Sequence, residues 1–146
     1  MDTYRDQPLR RVLLAVDQRT AAKGSIEEAI RLASVEHADL LVLSVLEPSS
    51  LRLPGGRTRR VDQERDRLET GARTIVSRAR EAGVSATYLI WEGDPAETIV
   101  EASTAEGADV IVLGSRPRTD LRRLLLGSVS THVTRTAPCQ VIVVPN

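Results

Sequence analysis

Five short apolar runs, each separated from the next by a helical pattern, narrow the folds open to this chain. They are Val12-Leu13-Leu14-Ala15-Val16, Leu40 to Leu46, Ala86 to Trp91, Asp109 to Leu113 and Gln140 to Val144. A run that is apolar without polar alternation suits a strand covered on both faces. Between them the apolar spacing changes to that of helices. Ile26, Ala29, Ile30 and Ala33 fall at i, i+3, i+4 and i+7, one face of a helix. Ser25 precedes them with Glu28 three residues on, which reads as a capping box. Val61 to Ala82 reads as a long helix with Leu68, Ala72, Ile75, Val76 and Ala79 on one side, stopped by Gly83. Asp94-Pro95 opens the next helix, with Asp94 as N-cap and Ala96, Ile99, Val100 and Ser103 sharing a face. Gly127-Ser128 starts the last, with Val129 and Val133 turned inward.

Strand and helix therefore alternate along the whole chain. Such alternation with short connections implies an α/β fold, a doubly wound parallel sheet with right-handed crossovers and helices on both faces. At 146 residues the chain reads as a single domain over 1–146, with a loose tail at residues 1–9. The irregular stretch at residues 47–60 is long for a compact domain, which marks it as mobile or functional. No internal repeat is evident.

Composition excludes several classes of function. The charges balance, with 20 basic and 20 acidic side chains, so no overall field draws the chain to nucleic acid or to an anionic membrane. Aromatic residues make up 2% and Phe is absent, which leaves little for base stacking. No apolar run approaches the roughly 20 residues of a membrane helix. The polar start Met1-Asp2-Thr3 does not read as a signal peptide, and the lone Cys139 cannot form an intramolecular disulfide. A cytoplasmic protein is the expectation.

Ligands of such sheets lie beyond the carboxyl ends of the strands, at the switch point of the strand order. Two places qualify: Asp17 after the first strand, and Gly114-Ser115-Arg116-Pro117 after the fourth, with Gly127-Ser128 downstream. A Gly-Ser helix start offers free N–H groups, a hydroxyl and the positive end of the helix dipole, a combination suited to phosphate. Arg116 and Arg118 in the loop add charges that attract phosphate. As a bland alternative, Gly127 is a turn residue, Ser128 a cap and the arginines a solvated surface. His37 reads as a cation at a helix end and His132 as a helix residue, neither with a second ligand at zinc spacing. Cys139 reads as a small buried residue, and Trp91 as packing. Ser115 and Ser128 have no His-Asp partners nearby for a hydrolase triad.

Gly93-Asp94-Pro95, the segment from Gly114 to Val129 with its Gly127-Ser128 pair, Ala137-Pro138-Cys139 and the opening run into Asp17 resemble the universal stress protein family, over residues 11–145. The resemblance implies the strand order 3-2-1-4-5 and an adenine-nucleotide alpha-hydrolase-like fold. It implies a nucleotide site of Asp17 beside the adenosine, the backbone of Val45 near the adenine, and Gly114, Gly127, Ser128 and Val129 around ribose and phosphates. ATP with Mg²⁺ is the ligand implied. It also implies a homodimer through the last strand, 140–144, and a regulatory protein partner, with no nucleic acid or membrane involved. Nucleotide-binding members carry Gly, two residues, Gly, nine residues, then Gly-Ser/Thr. Here the middle Gly is Pro117, which has no N–H and a fixed φ. The expectation is a non-enzymatic stress-response module that binds ATP weakly or not at all. The alternative is an ATP-gated switch of partner binding with at most slow hydrolysis.

Overall fold

The computed structural model describes residues 8–16, 23–47, 57–115 and 127–145. Strand and helix alternate through β1 (Arg11–Val16), α1 (Lys23–Glu36), β2 (Asp39–Leu46), α2 (Arg57–Glu81), β3 (Ala86–Glu92), α3 (Pro95–Ala105), β4 (Val110–Ser115), α4 (Ser128–Thr136) and β5 (Gln140–Pro145). All four strand pairings are parallel, in the order β3-β2-β1-β4-β5. The five expected runs are the five strands.

Side chains alternate across the sheet into two apolar layers. Val12, Leu14, Leu40, Val42, Val110 and Val112 face one way, where α1 and α2 bring Ala29, Ala33, Ala72, Ile75, Val76 and Ala79. Leu13, Leu41, Leu43, Ile111 and Leu113 face the other way, toward Ile99 and Ala102 of α3 and Val133 of α4. The unalternating runs are thus explained: both neighbours of the sheet are apolar. The helix residues against the sheet are largely alanines, so the helices approach closely while Leu, Val and Ile of the strands fill the space. Each such side chain, fully buried, contributes about 1.5–3 kcal/mol.

Boundaries differ from the sequence reading where tertiary structure outweighs local pattern. Ser25 is not a cap. The helix starts at Lys23, and Ser25 is buried inside its first turn, while Glu28 pairs with Arg31 at 2.6 Å. The α2 helix begins at Arg57, inside the stretch read as irregular; residues 48–56 of that stretch lie outside the described residues. Leu9, assigned to the tail, packs against the α1–α2 layer. Asp94 caps α3 as expected, its carboxylate accepting from the Glu97 N–H at 3.2 Å. Asp109 ties the start of β1 to β4, accepting from the N–H groups of Arg10 and Arg11 at 2.8 and 3.0 Å.

Three helices hand over to their strands through one motif. After α1, α2 and α3 the N–H groups of Ala38, Val84 and Ala108 donate to the carbonyls of Ala33, Ala79 and Ser103, each at 2.9 Å. Those of His37, Gly83 and Gly107 donate one step inside. This is the Schellman termination, which needs a left-handed residue at its apex. Gly83 and Gly107 supply it, with φ of 83° and 64°; after α1 the apex is His37, at φ 54°. A Cβ in that region is strained. His37→Gly is therefore expected to raise stability by about 0.5 kcal/mol, relief of strain being partly offset by a freer unfolded chain. Urea denaturation of the two proteins checks this, and no gain would show that the His37 backbone is unstrained.

Candidate functional site

Because every strand is parallel, the helices return antiparallel to them, and all strand carboxyl ends meet all helix N-termini on one side of the sheet. The order places β1 between β2 and β4, with α1 and α2 on one face and α3 and α4 on the other. The crevice between β1 and β4 is the switch point anticipated from sequence.

Gly114 is half-buried inside β4 rather than just after it. The strand runs on to Ser115 because Gly114 pairs with Val144 and Ser115 with Pro145 of β5. Gly127 is the N-cap of α4, with φ −60° and ψ 165° and no side-chain cap bond. The first bond within the helix runs from the Thr131 N–H to the Gly127 carbonyl, 3.0 Å. The N–H groups of Ser128, Val129 and Ser130 therefore have no intrahelical acceptor and point out of the helix end. No acidic side chain occupies the first turn. Ser128 is exposed; the buried Ser130 hydroxyl is engaged with the Gly127 carbonyl at 3.0 Å. Among the described residues, a Cβ built on Gly127 would meet only Ser130 Oγ, at 3.9 Å. These features suit an anion.

Val45 lies near the carboxyl end of β2, opposite Trp91 of β3 in register. Val45, Trp91 and Val129 all pack against the α3–α4 layer, so the adenine-side and phosphate-side residues implied by resemblance share one face. Trp91 packs, as anticipated. Asp17, Arg116, Pro117 and Arg118 lie outside the described residues. His37 and His132 are exposed on separate elements. Among the described residues no three His, Cys, Asp or Glu side chains group as a metal site, and no helix is long and apolar enough to cross a membrane.

Two features at the carboxyl end were not singled out from sequence. The first is Ser44, whose hydroxyl is enclosed in the strand that carries Val45. The second is Gly93, whose N–H bonds the Leu46 carbonyl at 3.0 Å and so holds the ends of β2 and β3 together. The Gly93-Asp94-Pro95 sequence signals the turn but not this link.

These observations define a doubly wound α/β protein with a helix N-terminus lacking a side-chain cap at its switch point. The chain belongs to the universal stress protein family: that family's model matches residues 8–145. A universal stress protein of Thermus aquaticus is 35% identical over 139 residues, covering 91% of this chain and 96% of the relative. The structure of UspA from Lactobacillus plantarum superposes with a TM-score of 0.82 at 26% identity, covering 94% of this chain and 99% of that one. A universal stress protein from Archaeoglobus fulgidus, solved in complex with dAMP, has a TM-score of 0.71 at 24% identity, covering 94% and 98%.

Two outcomes test this description. A Cβ on Gly93 would lie 2.5 Å from the Oγ1 of the buried Thr98, at a φ of 148° that side chains avoid. Gly93→Ala is expected to cost about 2 kcal/mol or more, read from thermal unfolding. Burial pushes the Cys139 thiol up, with the charge of Asp109 adding to it. The thiolate is the reactive form, so Cys139 in the folded chain should react more slowly at neutral pH with a thiol reagent than in denaturant.

Proposed function

We propose that this chain is a non-enzymatic stress-response module that takes an adenine nucleotide at the β1–β4 crevice, and takes ATP only weakly. The open N-terminus of α4 carries the reading. Its N–H groups, at Ser128, Val129 and Ser130, face out beside the carboxyl end of β4, with no side-chain cap among the described residues. A phosphate fits there, receiving those N–H groups and the Ser128 hydroxyl. Gly114 lets the ribose lie against the end of β4, and Asp17 and the backbone of Val45 take the adenosine. Arg116 and Arg118 supply loop charge near the phosphates. Mg²⁺ arrives on the phosphate oxygens of ATP and needs no carboxylate trio from the protein. The dAMP-bound relative supports the ligand class at the level of the family; at its identity, its likeness to this chain concerns the fold.

Pro117 is the reason for weakness toward ATP. A proline offers no N–H to a phosphate oxygen, so one charge-assisted hydrogen bond is lost from the loop. The proposal names no catalytic residue and allows at most slow hydrolysis. Its cellular side, a cytoplasmic regulator acting on a protein partner, follows the same reading.

The edge of β5, unpaired among the described residues, supports a second part of the proposal, a homodimer through residues 140–144. Its Val141, Ile142, Val143 and Val144 are half-buried in a single chain, and an apolar edge is a template for another strand. The opposite edge is guarded: Arg80 donates twice to the Ala86 carbonyl of β3, at 2.9 and 3.2 Å. Light scattering at micromolar concentration is expected to give the dimer mass, and a monomer mass overturns this part.

Titration calorimetry with Mg-ATP tests the nucleotide site. Pro117→Gly is expected to raise ATP affinity about tenfold, the worth of one regained hydrogen bond to a charged group. Gly127→Asp is expected to abolish binding through bulk and repulsion at the α4 end. Unchanged affinity in both variants would place the nucleotide elsewhere.

A further inference from the structure

A groove runs between α1 and α2, on the face of the sheet opposite Val45 and Val129. Both helices run antiparallel to the strands, so both end at the amino side of the sheet. There α1 packs chiefly on β1, and α2 on β2 and β3. The apolar part of the groove is Ile30 and Val35 of α1 with Ala82, just past the end of α2. Its volume is about 300 Å³, at the bottom of the range for small-molecule sites, and it is open to solvent. Val35 is the one large apolar side chain among the described residues that stands exposed, at 62%. Two charged residues of the groove, Glu27 and Arg78, are exposed and have no ion-pair partner among the described residues. Arg31 beside them is already held by Glu28.

The chain enters the sheet next to this groove. Leu9, two residues ahead of β1, packs against the α1–α2 layer. The segment before it, residues 1–7, lies outside the described residues and reads Met1-Asp2-Thr3-Tyr4-Arg5-Asp6-Gln7. Tyr4 joins an apolar ring to a polar tip, which suits a half-open apolar groove. Arg5 and Asp6 carry charges opposite to those of Glu27 and Arg78. The reach is sufficient. Five extended residues from Leu9 to Tyr4 span at most roughly 17 Å, and the climb past a helix to its outer side is about one helix diameter, roughly 10 Å. A segment tethered at Leu9 also meets the groove at an effective concentration on the order of millimolar, which no free partner matches.

We infer that residues 1–7 fold back into the α1–α2 groove, with the Tyr4 ring on Ile30, Val35 and Ala82 and Asp6 beside Arg78. The segment is then a strap across two parallel helices, and it covers the apolar strip that those helices leave exposed. The strap and the nucleotide proposal stand apart, since the groove lies on the other face of the sheet and toward its other end.

Nuclear magnetic resonance on the full chain, with labelled methyl groups and tyrosine rings, tests this. Nuclear Overhauser peaks are expected between the Tyr4 ring and the methyl groups of Ile30, Val35 and Ala82. Tyr4→Ser assigns them: it is expected to remove the peaks and to shift the Val35 methyl signals. A mixture with ring label on some chains and methyl label on the others is expected to show no such peaks. Peaks in that mixture mean that the segment crosses to a second copy, which overturns the inference. Absence of the peaks in the uniformly labelled wild type also overturns it and leaves the groove to a separate partner. Neither result bears on the nucleotide site, whose own titrations are independent of Tyr4.

Discussion

Burial of β1 on both faces is the constraint from which the remainder of the structure follows. Val12, Leu13 and Leu14 have no exposure at all, yet consecutive side chains in a strand point to opposite sides. Two separate apolar layers must therefore exist, one built by α1 and α2 and the other by α3 and α4. A central strand so enclosed has no polar surface left along its length. Chemistry is driven to its ends, and the helix directions make the two ends unlike. At the amino end Asp109 holds the N–H groups of Arg10 and Arg11, a closure that is structural. At the carboxyl end the strands stop against helix N-termini, and at α4 the first N–H groups have no intrahelical acceptor and no side-chain cap.

The two strands flanking β1 are near copies of each other. Glu36-His37-Ala38-Asp39-Leu40-Leu41-Val42-Leu43-Ser44 and Glu106-Gly107-Ala108-Asp109-Val110-Ile111-Val112-Leu113-Gly114 share a termination, an entry Asp and four apolar residues. This echo is a local similarity, too short to make a repeat. Both copies hydrogen-bond β1 at its entry, through the Asp39 N–H to the Arg10 carbonyl and the Asp109 N–H to the Arg11 carbonyl. They differ at four positions: two are apolar exchanges, Leu40 for Val110 and Leu41 for Ile111, and the other two are informative. His37 stands where Gly107 meets the demand for a positive φ, and Ser44 stands where Gly114 leaves the strand end bare. The first difference concerns the turn. The second puts a buried hydroxyl on one side of β1 and a strand residue without a side chain on the other.

The fold was legible because its main signal is long-range burial written as local composition. Unalternating runs such as Val12 to Val16 have no other comfortable place in a small α/β protein. Asp94 was legible as a cap because its neighbours Pro95 and Glu97 repeat the same message. Ser25 carried an equally good local signature and was misleading, since packing of α1 moved the helix start to Lys23 and buried the hydroxyl. The start of α2 was hidden for the opposite reason. Its first turn, Arg57-Thr58-Arg59-Arg60, holds no apolar residue and precedes Leu68, the first buried one among its described side chains, so no apolar periodicity announces it. Of the site, the helix end at Gly127-Ser128 could be read from residue types alone. The link from the Gly93 N–H to the Leu46 carbonyl could not, because it joins the ends of two strands that are distant in sequence.

Gly127 separates a structural from a functional use of glycine. At Gly83 and Gly107 the backbone lies in the left-handed region, and the residue type follows from geometry. Gly127 has φ −60° and ψ 165°, values that Ser, Asn or Asp adopt readily at an N-cap, where each would stabilise the helix by bonding a first-turn N–H. Nor does crowding within the described fold exclude a side chain, since a Cβ there would have Ser130 Oγ as its only close neighbour, at 3.9 Å. Neither strain nor packing calls for glycine, and capping argues against it. What the missing side chain preserves is the approach to the N–H groups of Ser128, Val129 and Ser130. A capping oxygen would occupy one of those donors and would hold its own lone pairs toward an arriving phosphate. A bare cap leaves the donors free for a group from outside the chain.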